Sequence, residues 1–152
     1  MTNRIVRLVK TEPMRLAVFH GYSKTPESDA HETCQAWAEA KGLLNDPATY
    51  LLFGHNNPDP SPDKEEYGYD TLITLPPDMN VDPDIQIQEF PRRLYAVVRT
   101  TLANMGQTWV YLCDWAENSG YKIADDGLEE PLLADESDPD KFLFDLWLPI
   151  AK

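Results

Sequence analysis

The sequence predicts an α+β fold made of two similar halves, and two observations lead to this prediction. The first is an internal repeat. The Pro, Arg and Leu of 12–16 recur 78 residues later in 90–94, and Trp37-Ala38-Glu39 recurs at the same distance as Trp115-Ala116-Glu117. The second is that strand-like and helix-like periodicity follow one another in the same order in both halves. We therefore expect one domain over 1–152, with repeat 1 over about 3–80 and repeat 2 over about 83–152.

The first half has the pattern strand, strand, helix, strand, strand. Strands over 5–10 and 14–22 surround the turn at Glu12-Pro13. A helix follows, because Pro26 suits a first helical turn and the apolar residues after it keep helical spacing until Gly42. Two more strands are expected over 50–53 and 69–75.

The second half repeats this pattern. Its strands are expected over 85–89, 93–100, 121–124 and 142–150. Its helix carries an apolar stripe formed by Trp109, Leu112, Cys113 and Ala116 and ends near Gly120.

A half of this kind has only one helix to cover its sheet. Two halves side by side, related by a pseudo-twofold axis, would give an antiparallel-rich sheet covered by two helices. Such an arrangement leaves a central cleft along the axis, which we expect to hold a ligand.

The composition limits the partners. Acidic residues outnumber basic ones by 26 to 13, and the formal charge of −13 repels phosphate backbones and attracts cations. We therefore expect no direct binding to nucleic acid. The N-terminal segment has no long apolar core and no run reaches the length of a membrane span, which favours a cytoplasmic protein without membrane contact. Cys34 and Cys113 are expected to be reduced core residues.

The sequence contains no recognisable catalytic or metal-binding motif. We find no nucleophile elbow, phosphate loop or zinc-protease helix, and His20, His31 and His55 share no ligand spacing. We interpret each histidine as a surface or turn residue. The prediction is accordingly a binding domain rather than an enzyme, with no catalytic residue, cofactor or metal assigned.

Several short motifs together resemble a known family. They are the opening 12–17, Tyr69-Asp70 leading to Leu75-Pro76, the segment 89–97, Trp109, Trp115 with Ser119-Gly120-Tyr121, and Asp145 leading to Leu148-Pro149-Ile150. In order and spacing these are similar to bacterial gyrase-inhibitor-like (GyrI-like) domains. The same domains form the effector-binding part of AraC-type and multidrug-sensing MerR-type regulators.

The resemblance implies a binding residue. In the family, a glutamate on the strand after the second helix faces the positive charge of bound lipophilic cations, and Leu128-Glu129 matches the aromatic-Glu pair that carries it. This chain has Pro131 where the family usually has a tyrosine. A slip of one residue would exchange Glu129 for Glu130 as the inward-facing glutamate.

The resemblance also implies an aromatic wall, since cation–π attraction contributes about 0.5 to 2 kcal/mol for each ring. Its candidate residues, from their places in the implied fold, are Phe19, Tyr22, Phe53, Tyr67, Trp109 and Trp147. A carboxylate among them should have a raised pKa when the site is empty.

The leading hypothesis is a stand-alone domain that captures lipophilic or cationic aromatic molecules. A second is a protein–protein modulator of the gyrase-inhibitor type, with gyrase or a regulator as its partner. A third is a hydrolase of reactive alkylating compounds, in which Glu129 and either Tyr67 or Tyr111 activate water. The sequence leaves the oligomeric state open, a homodimer included.

Overall fold

The chain forms two compact units, which are described separately. The computed structural model describes residues 5–46, 49–57, 59–133 and 138–152, so the predicted start of repeat 1 at residue 3 lies outside the described residues. Unit 1 contains the segment up to Pro13 together with Pro91–Lys152, and unit 2 contains Met14–Phe90.

Unit 2 has four strands and one helix. They are β2 (Met14–Ser23), α1 (Pro26–Ala40), β3 (Leu52–Asn56), β4 (Tyr67–Thr74) and β5 (Gln86–Phe90). All the pairings are antiparallel, and the strands lie in the order β5-β2-β4-β3.

Unit 1 has the same core topology. Its elements are β1 (Arg7–Thr11), β6 (Arg93–Thr101), α2 (Met105–Asn118), β7 (Lys122–Ile123), β8 (Leu128–Leu133) and β9 (Leu143–Ala151). The order β1-β6-β9-β8 corresponds to the order in unit 2, again with antiparallel pairing, and β7 pairs with β9. The predicted α+β fold with antiparallel strands and two helices is therefore confirmed.

The two strands around the turn at Glu12-Pro13 do not pair with each other. Strand β1 pairs with β6, whereas β2 pairs with β4 and β5. The first strand of each linear repeat thus completes the sheet formed by the rest of the other repeat. Local periodicity identifies strands but carries no information about their partners, so this exchange could not be derived from it.

One strand of the second half lies elsewhere than expected. Residues 121–124 were expected to supply the third strand, but they contain only the two-residue β7. The strand that pairs along β9 is β8, which begins at Leu128. Two consecutive glutamates and Pro131 hide the alternation of a strand, and the ladder is irregular just after Pro131, where a proline is tolerated.

Both helices end in the same way. Gly42 and Gly120 have φ values of 72° and 83°, a conformation that glycine adopts at little cost. In each case the residue after the glycine donates its N–H to a helix carbonyl, from Leu43 to Ala38 and from Tyr121 to Ala116. Among the helices of the described ranges, none is long and apolar enough to cross a membrane.

Each sheet has one face that packs against its helix, which we call the helix side, and an opposite face, which we call the far side. In unit 2 the helix side carries Ala17 and Ile73, which pack with Cys34 and Ala38 of α1. In unit 1 the equivalent core is formed by Ala96, Val98, Leu146 and Leu148 of the sheet and Leu112 and Ala116 of α2. Because side chains alternate along a strand, these contacts fix the side on which every other strand residue lies.

Candidate functional site

The predicted glutamate, Glu129, lies on the helix side of unit 1. It is opposite Leu146 in the β8–β9 ladder, and residues opposite each other in an antiparallel pair share a face. Leu146 is a fully buried member of the core under α2. Glu129 itself is half-buried.

Trp109 of α2 lies on the same side. A Cβ at Gly127 would be 3.2 Å from Cη2 of Trp109, so the indole covers the backbone directly before β8. Gly127 is two residues before Glu129, and the alternation of a strand places such neighbours on one face. The structure thus places Glu129 and Trp109 on the same side of β8.

Glu130 lies on the far side, with a different environment. It is opposite Asp145, and its Oε1 accepts a hydrogen bond of 3.0 Å from Nε1 of Trp147. Two arginines hold Asp145: Arg7 Nη2 is 2.7 Å from one carboxylate oxygen and Arg99 Nε is 3.2 Å from the other. The two glutamates of β8 therefore face opposite sides of one sheet.

The electrostatics of Glu130 reflect this environment. Burial raises the pKa of Glu130, and the charge of Asp145 raises it further, whereas the Trp147 hydrogen bond and the charges of Arg7 and Arg99 act to lower it. The net shift of the pKa is upward. Burial therefore outweighs the nearby guanidinium groups.

The remaining predicted residue of unit 1 is Tyr111. It is half-buried on α2, two positions after Trp109. Because residues two positions apart on an α-helix point in different directions, Tyr111 and Trp109 lie on different faces of α2. Trp147, with 7% exposure, packs edge-on against Tyr95 at a centroid distance of 5.4 Å. Trp147 thus lies on the far side and Trp109 on the helix side.

The four predicted residues of unit 2 have different surroundings. Phe19 is buried in the core under α1, with its ring 5.4 Å from that of Trp37. Phe53 is on the far side of β3, opposite Leu72, and is 1% exposed. Tyr22 is 46% exposed on β2.

The side chain of Tyr67 is hydrogen-bonded to Glu27 in the first turn of α1. Its hydroxyl donates to the carboxylate of Glu27, at 2.5 and 2.8 Å from the two oxygens. Burial together with this carboxylate raises the pKa of Tyr67 to about 12. Because the phenol keeps its proton and already donates it in a hydrogen bond to Glu27, Tyr67 is poorly placed to activate water, as the hydrolase hypothesis requires of it.

Sequence reasoning missed a polar cluster in unit 2, which we call the Asp70 cluster. Asp70 is 5% exposed on the far side of β4. Its Oδ1 is 2.7 Å from Nδ1 of His20, and its Oδ2 is 3.2 Å from Nε2 of His55 and 2.9 Å from Nδ2 of Asn57. His20 is exposed, as expected of a surface residue, and His55 is half-buried, but both lie on strands and bind one buried carboxylate, which the sequence analysis did not anticipate.

Opposing effects act on the pKa of Asp70. Burial acts to raise this pKa, but the hydrogen bonds from Asn57, His20 and His55 outweigh it, so the pKa is lowered. Asp70 thus remains a carboxylate at neutral pH.

Asp145 is the counterpart of Asp70 in unit 1. It is opposite Arg99 in the ladder as Asp70 is opposite His20, and it is 4% exposed. The repeated aromatic-Asp pairs Tyr69-Asp70 and Phe144-Asp145 were a usable signal, because an aspartate inside an apolar strand requires partners.

The chain belongs to the GyrI-like family. The model of the GyrI-like small molecule binding domain matches residues 5–151, which is nearly the whole sequence. Small-molecule binding is accordingly the activity that defines the class. No curated protein matches the sequence.

Solved structures share the fold at low identity. The EcmrR C-terminal domain is 12% identical, with a TM-score of 0.69 and coverage of 99% of both chains. In an EcmrR–DNA complex the present chain covers 58% of the EcmrR chain, with a TM-score of 0.67, 12% identity and 98% of this chain covered.

Two further structures are similar. SAV2435, solved with tetraphenylphosphonium, is 10% identical with a TM-score of 0.56, and 97% of this chain and 94% of that chain are covered. A hydrolase from Listeria innocua is 12% identical with a TM-score of 0.69, at 96% and 91% coverage. At these identities the likeness establishes the fold alone.

Proposed function

We propose that this chain binds small organic cations with an aromatic or apolar body, and that Glu129 supplies the opposing charge. The family match supports small-molecule binding. The tetraphenylphosphonium bound to SAV2435 is a lipophilic cation, which makes this ligand class the first to test. The predicted cleft between the halves stays a prediction.

The observation that carries the proposal is the common location of Glu129 and Trp109 on the helix side of unit 1. A half-buried carboxylate is only partly hydrated, so a cation that reaches it recovers more electrostatic energy than at a fully solvated surface. The face of an indole attracts a cation as well. An acid and a tryptophan on one side of a strand therefore suit an aromatic cation better than a neutral or anionic ligand.

The choice of Glu129 over Glu130 follows from charge. The charges of Arg7 and Arg99 act on Glu130, and Trp147 already donates a hydrogen bond to its carboxylate. A cation at Glu130 would meet the repulsion of two guanidinium groups. Glu129 lies on the opposite side of β8, away from this repulsion.

The aromatic wall remains part of the proposal. Trp109 is its best-supported member because its side relative to Glu129 is known. The other proposed wall residues are Tyr111, Trp147, Phe19, Tyr22, Phe53 and Tyr67. For Phe19, burial against Trp37 favours a core role.

The experiment compares the same Glu-to-Gln substitution at two neighbouring positions of β8, one on the helix side and one on the far side. Binding of tetraphenylphosphonium to the wild type, Glu129→Gln and Glu130→Gln is measured by isothermal titration calorimetry, with quenching of tryptophan fluorescence as a second signal. We expect Glu129→Gln to weaken binding at least tenfold, equivalent to about 1.4 kcal/mol, and Glu130→Gln to change it less than about threefold.

Two outcomes would overturn the proposal. Unchanged affinity in Glu129→Gln, with a loss in Glu130→Gln, would transfer the role to the far side. Absence of binding by the wild type to tetraphenylphosphonium and to a panel of aromatic ammonium compounds, judged by thermal shift, would reject cationic ligands altogether.

A further inference from the structure

The Asp70 cluster has the arrangement of a general-base site. We propose that His20, held by Asp70, activates water for the hydrolysis of small aromatic esters at the far side of unit 2. The catalytic and positioning residues of this activity are in unit 2 and differ from Glu129 and Trp109 of unit 1, which carry the cation binding proposed above; Tyr22 is proposed to contact the ligand in both cases.

The hydrogen bonds of Asp70 determine the tautomer of His20. A carboxylate only accepts hydrogen bonds, so in a neutral imidazole bonded to it the proton is on Nδ1 and the lone pair is on Nε2. The same requirement places the proton of neutral His55 on Nε2. A buried carboxylate that orients a histidine and stabilises its protonated form is the physical basis of histidine bases in hydrolases.

The two partners of the pair differ in exposure, as such a site requires. The side chain of Asp70 is 7% exposed, whereas that of His20 is 44% exposed. Solvent and substrate can therefore reach the imidazole, while the carboxylate is sheltered. His55 and Asn57 each donate to Asp70 Oδ2, so they prevent the carboxylate from turning away from His20. We therefore assign His20 as the catalytic residue and Asp70, His55 and Asn57 as positioning residues.

An aromatic surface lies next to His20. Tyr22 is two residues further along β2, so both side chains lie on the far side, and Tyr22 is 46% exposed. The residue opposite Tyr22 on β4 is Gly68, which has no side chain to cover the ring. A flat substrate can stack on Tyr22 with its reactive carbon near His20. The formal charge of −13 disfavours anionic substrates, so the substrate class is an uncharged or cationic aromatic ester.

Unit 1 provides an internal comparison. Its equivalent aspartate, Asp145, is held by Arg7 and Arg99, and a guanidinium group does not act as a base at neutral pH because it stays protonated. The proposed activity therefore belongs to unit 2 alone.

The reaction is balanced with water as the only co-reactant. The oxygen of water attacks the ester carbonyl carbon while Nε2 of His20 takes a proton from the water. The tetrahedral intermediate then collapses, the bond from carbon to the leaving oxygen breaks, and the leaving group departs with the electron pair. His20 passes its proton to the leaving oxygen or to solvent, and the acid and the alcohol are the products.

The test uses p-nitrophenyl acetate, an uncharged aromatic ester, with the full chain. Release of p-nitrophenolate by the wild type is compared with that by His20→Asn and by His31→Asn, in which the α1 histidine outside the cluster is changed instead. We expect His20→Asn to lower the catalysed rate at least tenfold and His31→Asn to leave it unchanged, since general-base catalysis contributes roughly 100-fold or more in evolved sites.

Three further readouts identify the role of each residue. The wild-type rate should rise as an imidazole loses its proton and then level off, and Asp70→Asn should lower this plateau. The rate should fall in D₂O because a proton moves in the transition state. Far-ultraviolet circular dichroism establishes that each variant is folded, and if Asp70→Asn unfolds, His55→Asn replaces it as the positioning variant.

Equal rates for the wild type and His20→Asn would overturn the proposal, as would an acetyl group on His20 found by mass spectrometry together with no effect of D₂O. Binding of tetraphenylphosphonium is tested with Glu129→Gln, and hydrolysis is tested with His20→Asn. Loss of cation binding and loss of hydrolysis are thus measured by different variants, and either proposal can fail alone.

Discussion

Asp70 shows how a single buried charge depends on its donors. It has three N–H donors and 5% exposure, and these donors lower its pKa although burial acts in the other direction. A group whose pKa is lower in the folded state stabilises the fold at pH values above its unfolded pKa. This stabilisation is lost as the pH falls through the lower, folded pKa.

Asp70→Asn should therefore destabilise the protein in a pH-dependent way. Near neutral pH we expect a loss of about 1 to 3 kcal/mol in the free energy of unfolding, because three donors lose a charged acceptor. Below about pH 4 the difference from the wild type should shrink, since protonation of Asp70 in the wild type removes the same interaction.

Urea unfolding at several pH values measures this difference. Asp63→Asn, at an exposed position, serves as the matched control and should behave as the wild type. If Asp70→Asn lowers the free energy of unfolding by the same amount from neutral to strongly acidic pH, the carboxylate charge is not the source of the stabilisation.

At the scale of the element, the packing of each helix on its sheet includes one especially close contact. In unit 2, a Cβ on Gly21 would lie 2.6 Å from the carbonyl oxygen of Pro26 and 3.1 Å from the amide nitrogen of Ala30. In unit 1 the same region of the helix is held by a hydrogen bond of 2.7 Å between Thr100 and Thr108. The close approach in unit 2 is possible because Gly21 has no side chain, whereas unit 1 has a hydrogen bond between two threonine hydroxyl groups in this region.

Gly21→Ala should push α1 away from β2 and cost about 1 to 3 kcal/mol in the free energy of unfolding. Gly106→Ala in α2 is the matched control, because a Cβ there would meet nothing within 4 Å and alanine favours a helix by up to about 1 kcal/mol. Thermal and urea unfolding should give opposite signs for the two substitutions. A neutral Gly21→Ala would indicate that α1 shifts without loss of packing.

Helices were easier to predict from the sequence than strands and their pairing. The first helix is predicted from Pro26 to Gly42 and spans Pro26–Ala40. The prediction succeeds because the residues that start and end a helix lie at its own ends in the sequence. Periodicity did not identify strand β8, because two charges and a proline hide its alternation, whereas the family resemblance did place Glu129 on a strand. The Asp70 cluster was missed because His20, His55 and Asp70 are far apart in sequence, and only the β2–β4 and β3–β4 registers bring them together.

At the scale of the whole molecule, the exchange of first strands makes each compact unit depend on a distant part of the chain. Strand β1 precedes unit 2 in sequence but pairs with β6 of unit 1 over five residue positions. Unit 1 is therefore discontinuous in sequence, and its sheet is completed by the first strand of the chain.

Deletion of residues 1–11 should accordingly expose β6 rather than β2. We expect faster amide hydrogen exchange in the segment Arg93–Thr101, because its amides lose the pairing with β1. Exchange in β2 should stay close to that of the wild type, since its partners β4 and β5 remain. Mass spectrometry of peptic fragments measures both. Faster exchange confined to β2 would instead indicate a local hairpin around Pro13.

The two buried aspartates have a consequence for how this chain can change over time. The same carboxylate position occurs once in each unit, so a buried aspartate contributes to the folding of both. The copy held by Arg7 and Arg99 depends on permanent charges and is insensitive to the protonation of its partners. The copy in unit 2 is held by two imidazoles and an amide instead, so the two halves have diverged at one shared position into permanent charges in one unit and groups capable of proton transfer in the other.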